Sequence, residues 1–166
     1  MNKLSFVIIA FFIIASYFVV RNHEGAVVEE DTASSDARSL CYIWNTEAGD
    51  NASLSMTFTG EGGKEVSGFF NWRPAEKDSK VGTFAGTAGT LDKQSMSRTA
   101  ELWWQAQAEG TTVTEELQVV FGDGSAGVGF GEMRDRGDGV YVYADKSALS
   151  YEPTLSQTDC TDPAMK

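Results

Sequence analysis

Histidine occurs once, as His23, and cysteine only twice, as Cys41 and Cys160. The chain beyond residue 23 therefore has no imidazole for a Ser-His-Asp or Cys-His arrangement, and none for a zinc or copper centre. No G-x-x-x-x-G-K-[ST] loop is present. Gly127, Gly129 and Gly131 stand as G-x-G-x-G in a strand-like setting, unlike a phosphate cradle at a helix start. No metal, cofactor or nucleotide is expected. Basic residues are also scarce, 13 against 24 acidic ones, and the net charge of -11 repels a phosphate backbone. Nucleic acid is not an expected partner.

Proline is rare, with three residues, whereas glycine reaches 17 and the aromatics comprise ten Phe, five Tyr and four Trp. That balance favours short strands and tight turns over a helical bundle. Charge is absent from residues 4–20 (LSFVIIAFFIIASYFVV), which lie between Lys3 and Arg21. As a helix this run reaches roughly 26 Å, close to the ~30 Å hydrocarbon thickness, and it exceeds the apolar region of an ordinary signal peptide. No A-x-A-like cleavage site follows at a suitable distance. Residues 1–21 are thus read as a membrane anchor or uncleaved signal, with Lys3 on the inner side. Cys41 follows Arg38, Ser39 and Leu40, which are not the small residues that precede a lipid-attachment cysteine.

Residues 22–38 (NHEGAVVEEDTASSDAR) hold few large apolar side chains and many acids, so they read as a flexible linker. Residues 39–166 then form one extracytoplasmic domain, periplasmic or at the cell surface. In an oxidising compartment Cys41 and Cys160 are expected to form a disulfide that ties the ends of this domain together.

Strand periodicity is clear in several places. Leu54, Met56 and Phe58 alternate with Ser53, Ser55, Thr57 and Thr59, and Val66, Gly68, Phe70 and Trp72 repeat the pattern after a turn at Glu61, Gly62 and Gly63. Val113, Glu115, Leu117, Val119 and Phe121 share one parity up to Gly122-Asp123-Gly124, and a hairpin continues into Ala126, Val128 and Phe130. Further strands are expected at residues 41–46, 81–89, 140–144 and 149–155. Residues 92–109 have helix-favouring composition, but Ala100, Leu102, Trp104, Ala106 and Ala108 alternate with polar neighbours, broken only by Trp103; strand is the reading adopted. Short Gly/Asp turns force neighbouring strands to pair antiparallel. The expected fold is all-β: a small antiparallel up-and-down barrel of about eight strands, whose closure removes exposed edges and whose alternate glycines at 127, 129 and 131 suit a bend.

Carboxylate pairs such as Glu101 and Glu109, or Glu115 and Glu132, have the chemistry of a glycosidase acid and base, but an acidic chain offers such pairs by chance. Asp135, Asp138 and Asp145 near Gly137 and Gly139 lack calcium-loop spacing and read as solvated turns. The Arg136-Gly137-Asp138 tripeptide carries no weight in a turn. Two features point to binding. If the strand parities hold, Tyr42, Trp44, Phe70, Trp72 and Trp104 face inward with Phe58, Phe84 and Phe130, enough aromatic surface to line a ligand cavity or to fill a core. Residues 73–80 (RPAEKDSK) are the densest mixed-charge run of the domain, and Arg73, Glu76, Lys77, Asp78 and Lys80 are the candidate interaction loop.

The runs VSGFFNWRPAEKDSKVGTFAG (residues 66–86), ELWWQAQAEG and FGDGSAGVGFGEM resemble a group of short uncharacterised envelope proteins from small-genome uncultured bacteria, a likeness that implies no activity. In outline the layout is also similar to anchored lipocalin-like and lysozyme-inhibitor barrels. The inhibitors' SGxxY-type loop is not matched, since Gly124-Ser125-Ala126-Gly127 lacks both the charge and the tyrosine, so this is a likeness of architecture. The expected function is a membrane-tethered, non-catalytic binding or interaction domain, taking a small apolar ligand or a protein partner. The alternatives are an inhibitor of a secreted hydrolase such as lysozyme, and then a carboxylate-based hydrolase.

Overall fold

The computed structural model describes residues 37–165, so the expected anchor at residues 4–20 and nearly all of the 22–38 linker lie outside the described residues. Among the described residues no helix is long and apolar enough to cross a membrane. Ten strands follow in order: β1 (Arg38–Asn45), β2 (Asn51–Thr59), β3 (Glu65–Arg73), β4 (Lys80–Ala88), β5 (Ser97–Ala108), β6 (Thr111–Gly122), β7 (Ser125–Val128), β8 (Met133–Asp135), β9 (Val140–Tyr143) and β10 (Thr154–Thr158). Strands β1 to β7 pair in sequence order, and β10 inserts between β7 and β1, so eight antiparallel strands close into a barrel.

Local sequence explains the pairing. Glu109-Gly110 and Asp123-Gly124 are the two-residue loops of the β5–β6 and β6–β7 hairpins, and all four residues have positive φ. That is the turn whose twist matches the flanking strands. Side chains alternate across the barrel wall: Leu54, Met56, Phe70, Leu102, Val119 and Leu155 are almost fully buried, while the intervening positions are mostly polar and exposed. Phe69 and Trp103 are the outward exceptions, and the Arg136 guanidinium lies 5.7 Å over the Trp103 ring. The expected disulfide is present between Cys41 and Cys160, with Cα atoms 5.1 Å apart.

Three differences from the sequence reading matter for the site. Residues 149–155 are not one strand: Ser150 bridges Phe130, and the barrel strand begins only after Pro153, which has no N–H to give to a ladder. Of the alternate glycines only Gly127 belongs to β7, because the chain leaves the barrel after Val128. It then forms the β8–β9 hairpin, and β9 pairs parallel with the early part of β6 (Thr114↔Val140, Glu115↔Tyr141).

That detour leaves a gap along β6 between the β9 and β7 pairings, and Tyr143 fills it. Its hydroxyl donates to Gly129 O at 2.8 Å and accepts from Gln118 N at 3.2 Å, so a side chain takes the place of a missing ladder partner. Burial pushes this hydroxyl up to about 12.

The two ends of the barrel differ. At the end where β1 begins, Arg98 lies against the rings of Phe58 and Phe121, at 5.7 and 5.8 Å, and donates to the carbonyls of Gly63 and Gly89. This guanidinium caps a filled core. The opposite end, reached by Trp44, Trp72 and Lys80, is where the cavity lies.

Candidate functional site

The register builds this end of the barrel in layers. Trp44, Ala52, Trp72 and Lys80 are successive cross-strand partners from β1 to β4, so their side chains share the inner face at the rim. The Trp44 and Trp72 rings stack at 5.5 Å, and Phe130 tilts onto Trp72 at 4.8 Å. Deeper in, Phe70 meets Trp104 at 5.1 Å, and Trp104 stands opposite Glu115 in the β5–β6 ladder. Between these rings lies a cavity of about 270 Å3, bordered also by Leu117 from β6 and by Met133 and Tyr143 from the β8–β9 hairpin. Its volume is close to the ~300 Å3 at which small-molecule sites begin. A larger cleft of about 610 Å3 adjoins it across Trp72, Pro74, Lys77 and Phe130. The smaller space is the better candidate because inward-facing barrel side chains wall it.

Of the aromatic residues singled out in the sequence, Phe70, Trp72 and Trp104 line the cavity. Trp44 supports Trp72 from behind, and Tyr42, 1% exposed, belongs to the core, where burial raises its hydroxyl pKa. Part of the loop expected to mediate interactions borders the same cavity. Lys77, Asp78 and Lys80 border the cavity, Glu76 borders the adjoining cleft, and Arg73 donates to Asn71 at 3.0 Å. The loop is fastened from outside: Asp50 accepts from Ala75 N at 2.8 Å and from the Thr46 hydroxyl at 2.9 Å, and these bonds hold its carboxyl below the usual range.

Two sheltered carboxylates of the site are paired with lysines. Lys80 Nζ lies 2.6 Å from Glu115 Oε1 in a pair whose carboxylate side chain is only 13% exposed. Glu116, equally sheltered, meets Lys146 at 2.6 Å and accepts from Tyr143 N at 3.1 Å. Hydrogen bonding to Glu116 is the main cause that raises the Lys146 pKa.

One polar group is left over. Trp104 is 4% exposed, and its Nε1 has no hydrogen-bond acceptor among the described residues. An unpaired buried donor costs about 1–3 kcal/mol. No cluster of three or more His, Cys, Asp or Glu able to hold a metal occurs among the described residues.

Sequence reasoning did not find Glu116, Met133 or Tyr143, because their arrival depends on the β8–β9 detour. Glu115 did carry a signal: it is the one acid on the apolar parity of β6, between Val113 and Leu117. The arrangement offers an aromatic-walled space for a compact apolar molecule, bordered on one side by loop 74–79. Comparison with protein-family models, with curated proteins and with solved structures finds no match to this chain.

Proposed function

We propose that this chain is a non-catalytic binding protein whose barrel holds a small apolar ligand in the cavity at the Trp72 end. The observation that carries the reading is the asymmetry of the core: one barrel end is capped by Arg98, while the other keeps an aromatic-walled cavity. Close packing elsewhere makes a space of this size a feature that needs a reason. The pairing of Glu115 with Lys80 and of Glu116 with Lys146 supports binding over carboxylate hydrolysis. Each of these carboxylates is already engaged by an ammonium, so neither stands free beside the cavity as a nucleophile or base. Loop 74–79 lies against Asp50 and walls the cavity, which supports a ligand lid over a projecting inhibitor loop.

Residues 4–20 tether the domain to the membrane with the barrel on the extracytoplasmic side, which agrees with the disulfide. The chain enters the barrel at the Arg98 end, opposite the cavity.

Tryptophan fluorescence of the full-length chain, titrated with fatty acids, isoprenoids and cell-wall fragments, tests the proposal. A saturable shift that disappears in Met133→Trp when binding is followed by calorimetry, with unfolding temperature preserved, supports it. A flat response to every compound removes these classes as ligands. Saturation that Met133→Trp leaves intact puts binding outside the cavity and overturns the assignment.

A further inference from the structure

Resting on the reading of the cavity as a binding site, we infer that its ligand is an organic cation, with a compact apolar body in the cavity and an ammonium-type head in the adjoining cleft. The two spaces make one site. Trp72, Pro74, Lys77 and Phe130 border both the cavity of about 270 Å3 and the cleft of about 610 Å3, so a molecule longer than the cavity extends past these residues into the cleft. The inner part asks for hydrocarbon, since Phe70, Leu117 and Phe130 offer only apolar contact.

The sign of the head follows from every charge that borders the two spaces. Lys77, Asp78, Lys80, Glu115 and Glu116 line the cavity. Lys80 holds Glu115 and Lys146 holds Glu116, both at 2.6 Å, while Lys77 and Asp78 are successive loop residues of opposite sign. The cavity therefore favours neither sign. The cleft differs, because Asp50, Glu76 and Glu152 border it against Lys77 alone. Neither Glu76 nor Glu152 has a basic side chain within 4.0 Å among the described residues. Asp50 accepts its hydrogen bonds from Ala75 N and the Thr46 hydroxyl, which are uncharged and leave its own charge uncompensated. Three carboxylates thus stand against one ammonium, in a chain whose net charge is -11. An anionic head has to enter among those carboxylates, whereas a cation is drawn toward them. Trp72 and Phe130 suit the same sign, since an aromatic wall attracts an organic cation through the ring quadrupole.

Three probes that share a benzyl group separate the possibilities: benzyltrimethylammonium, its uncharged isostere neopentylbenzene, and phenylmethanesulfonate as the anion. Each is titrated into the full-length chain, with binding followed by calorimetry and by the indole N–H signals of the four tryptophans. The ammonium should bind saturably and at least about fivefold tighter than the sulfonate at low salt, a preference that about 0.5 M sodium chloride largely removes. Glu76→Gln/Glu152→Gln should weaken the ammonium about three- to tenfold and leave neopentylbenzene unchanged, whereas Lys77→Gln should tighten the ammonium about two- to threefold. All three side chains are exposed, so these changes leave the core intact. Met133→Trp, which fills the inner space, should weaken the ammonium and the neutral probe together.

Tighter binding of the sulfonate than of the ammonium, or an ammonium affinity that the glutamine variants leave unchanged, overturns the cationic class, while saturable binding of neopentylbenzene keeps the cavity as a binding site. Ammonium binding that Met133→Trp leaves intact puts the cation elsewhere on the acidic surface and overturns the two-part site. No saturable binding of any probe, with the Trp72 and Trp104 signals unmoved, removes the binding reading itself, and this inference with it.

Discussion

Removing the Cys41–Cys160 bond should weaken the barrel most at its closing seam. The bond spans 119 residues of sequence, and in the chain-entropy model a loop of that length is worth about 4.9 kcal/mol of unfolded-state constraint. Native strain and a compact denatured state both lower the measured figure, so Cys41→Ala/Cys160→Ser is expected to lose about 3–5 kcal/mol. For a domain of this size that is a fall on the order of 10–20 °C in unfolding temperature. The loss should also be local. Strand β10 holds its neighbours through only three register pairs with β1 and three with β7, whereas β5 and β6 share twelve. Urea unfolding of a fragment beginning at residue 37, oxidised, reduced and doubly substituted, measures the total, and amide hydrogen exchange locates it. Exchange should accelerate first in β10 and the facing part of β1. A loss below about 1 kcal/mol, or uniform acceleration across all strands, would refute the reasoning that the disulfide guards this seam.

Gly68→Ala tests the close approach of β3 to β2, since a Cβ there would sit 1.9 Å from Ser55 O and 2.6 Å from Phe84 Cζ. Overpacking of this kind costs about 1–3 kcal/mol, and the backbone contact points to the upper end; a loss under about 0.5 kcal/mol in urea unfolding contradicts the packing. Tyr143→Phe should cost about 1–3 kcal/mol, because Gly129 O and Gln118 N both lose the hydroxyl. The same tyrosine gives a pH signature. Its pKa is raised by burial to about 12, so the unfolded chain loses the proton first, and stability that is full below pH 10 should fall as pH rises from 10 toward 12. Tyr42 and Tyr151 are shifted in the same direction, so Tyr143→Phe should reduce that slope without abolishing it, and an unchanged slope counts against the buried hydroxyl. Asp50→Asn should loosen loop 74–79, read as faster amide exchange at Ala75, and lowering the pH of the unmodified chain below the usual carboxylate range should do the same. Unaltered exchange at Ala75 in both experiments would show that Asp50 does not hold the loop.

The barrel wall was legible wherever one face of a strand is buried. The alternations at 53–59, 66–72 and 113–121 arise because a pleated strand puts Leu54, Phe70 and Leu117 on the same inner surface, and period two survives any tertiary context that keeps one face dry. In residues 92–109 helix-favouring Ala, Glu and Gln lost to cross-strand packing; β5 runs Ser97–Ala108, with Trp103 the one large apolar side chain turned outward. The cysteine pairing was legible because only two cysteines exist.

Half of the site was not legible, for reasons of distance along the chain. Lys80 meets Glu115 across 35 residues, and nothing local to either residue announces the other. Glu116 acquires Lys146 and Tyr143 only because β9 lies parallel to β6, a pairing that no short turn dictates. Phe70, Trp72 and Trp104 were found since aromatic residues on an inward parity must meet inside a barrel. Which of them would fill space and which would border a cavity depended on the chain leaving the barrel at Gly129 instead of continuing as a strand.

The most direct measurement is a crystal structure of the chain under xenon pressure, because xenon occupies apolar cavities without needing any particular ligand chemistry. A xenon peak among Phe70, Trp104, Leu117 and Phe130, with the Arg98 end of the barrel bare, is the result expected of a barrel built to hold a small apolar molecule. Side chains closed over that space, with no xenon between them, would contradict it and leave the barrel as a filled scaffold whose function lies on its surface.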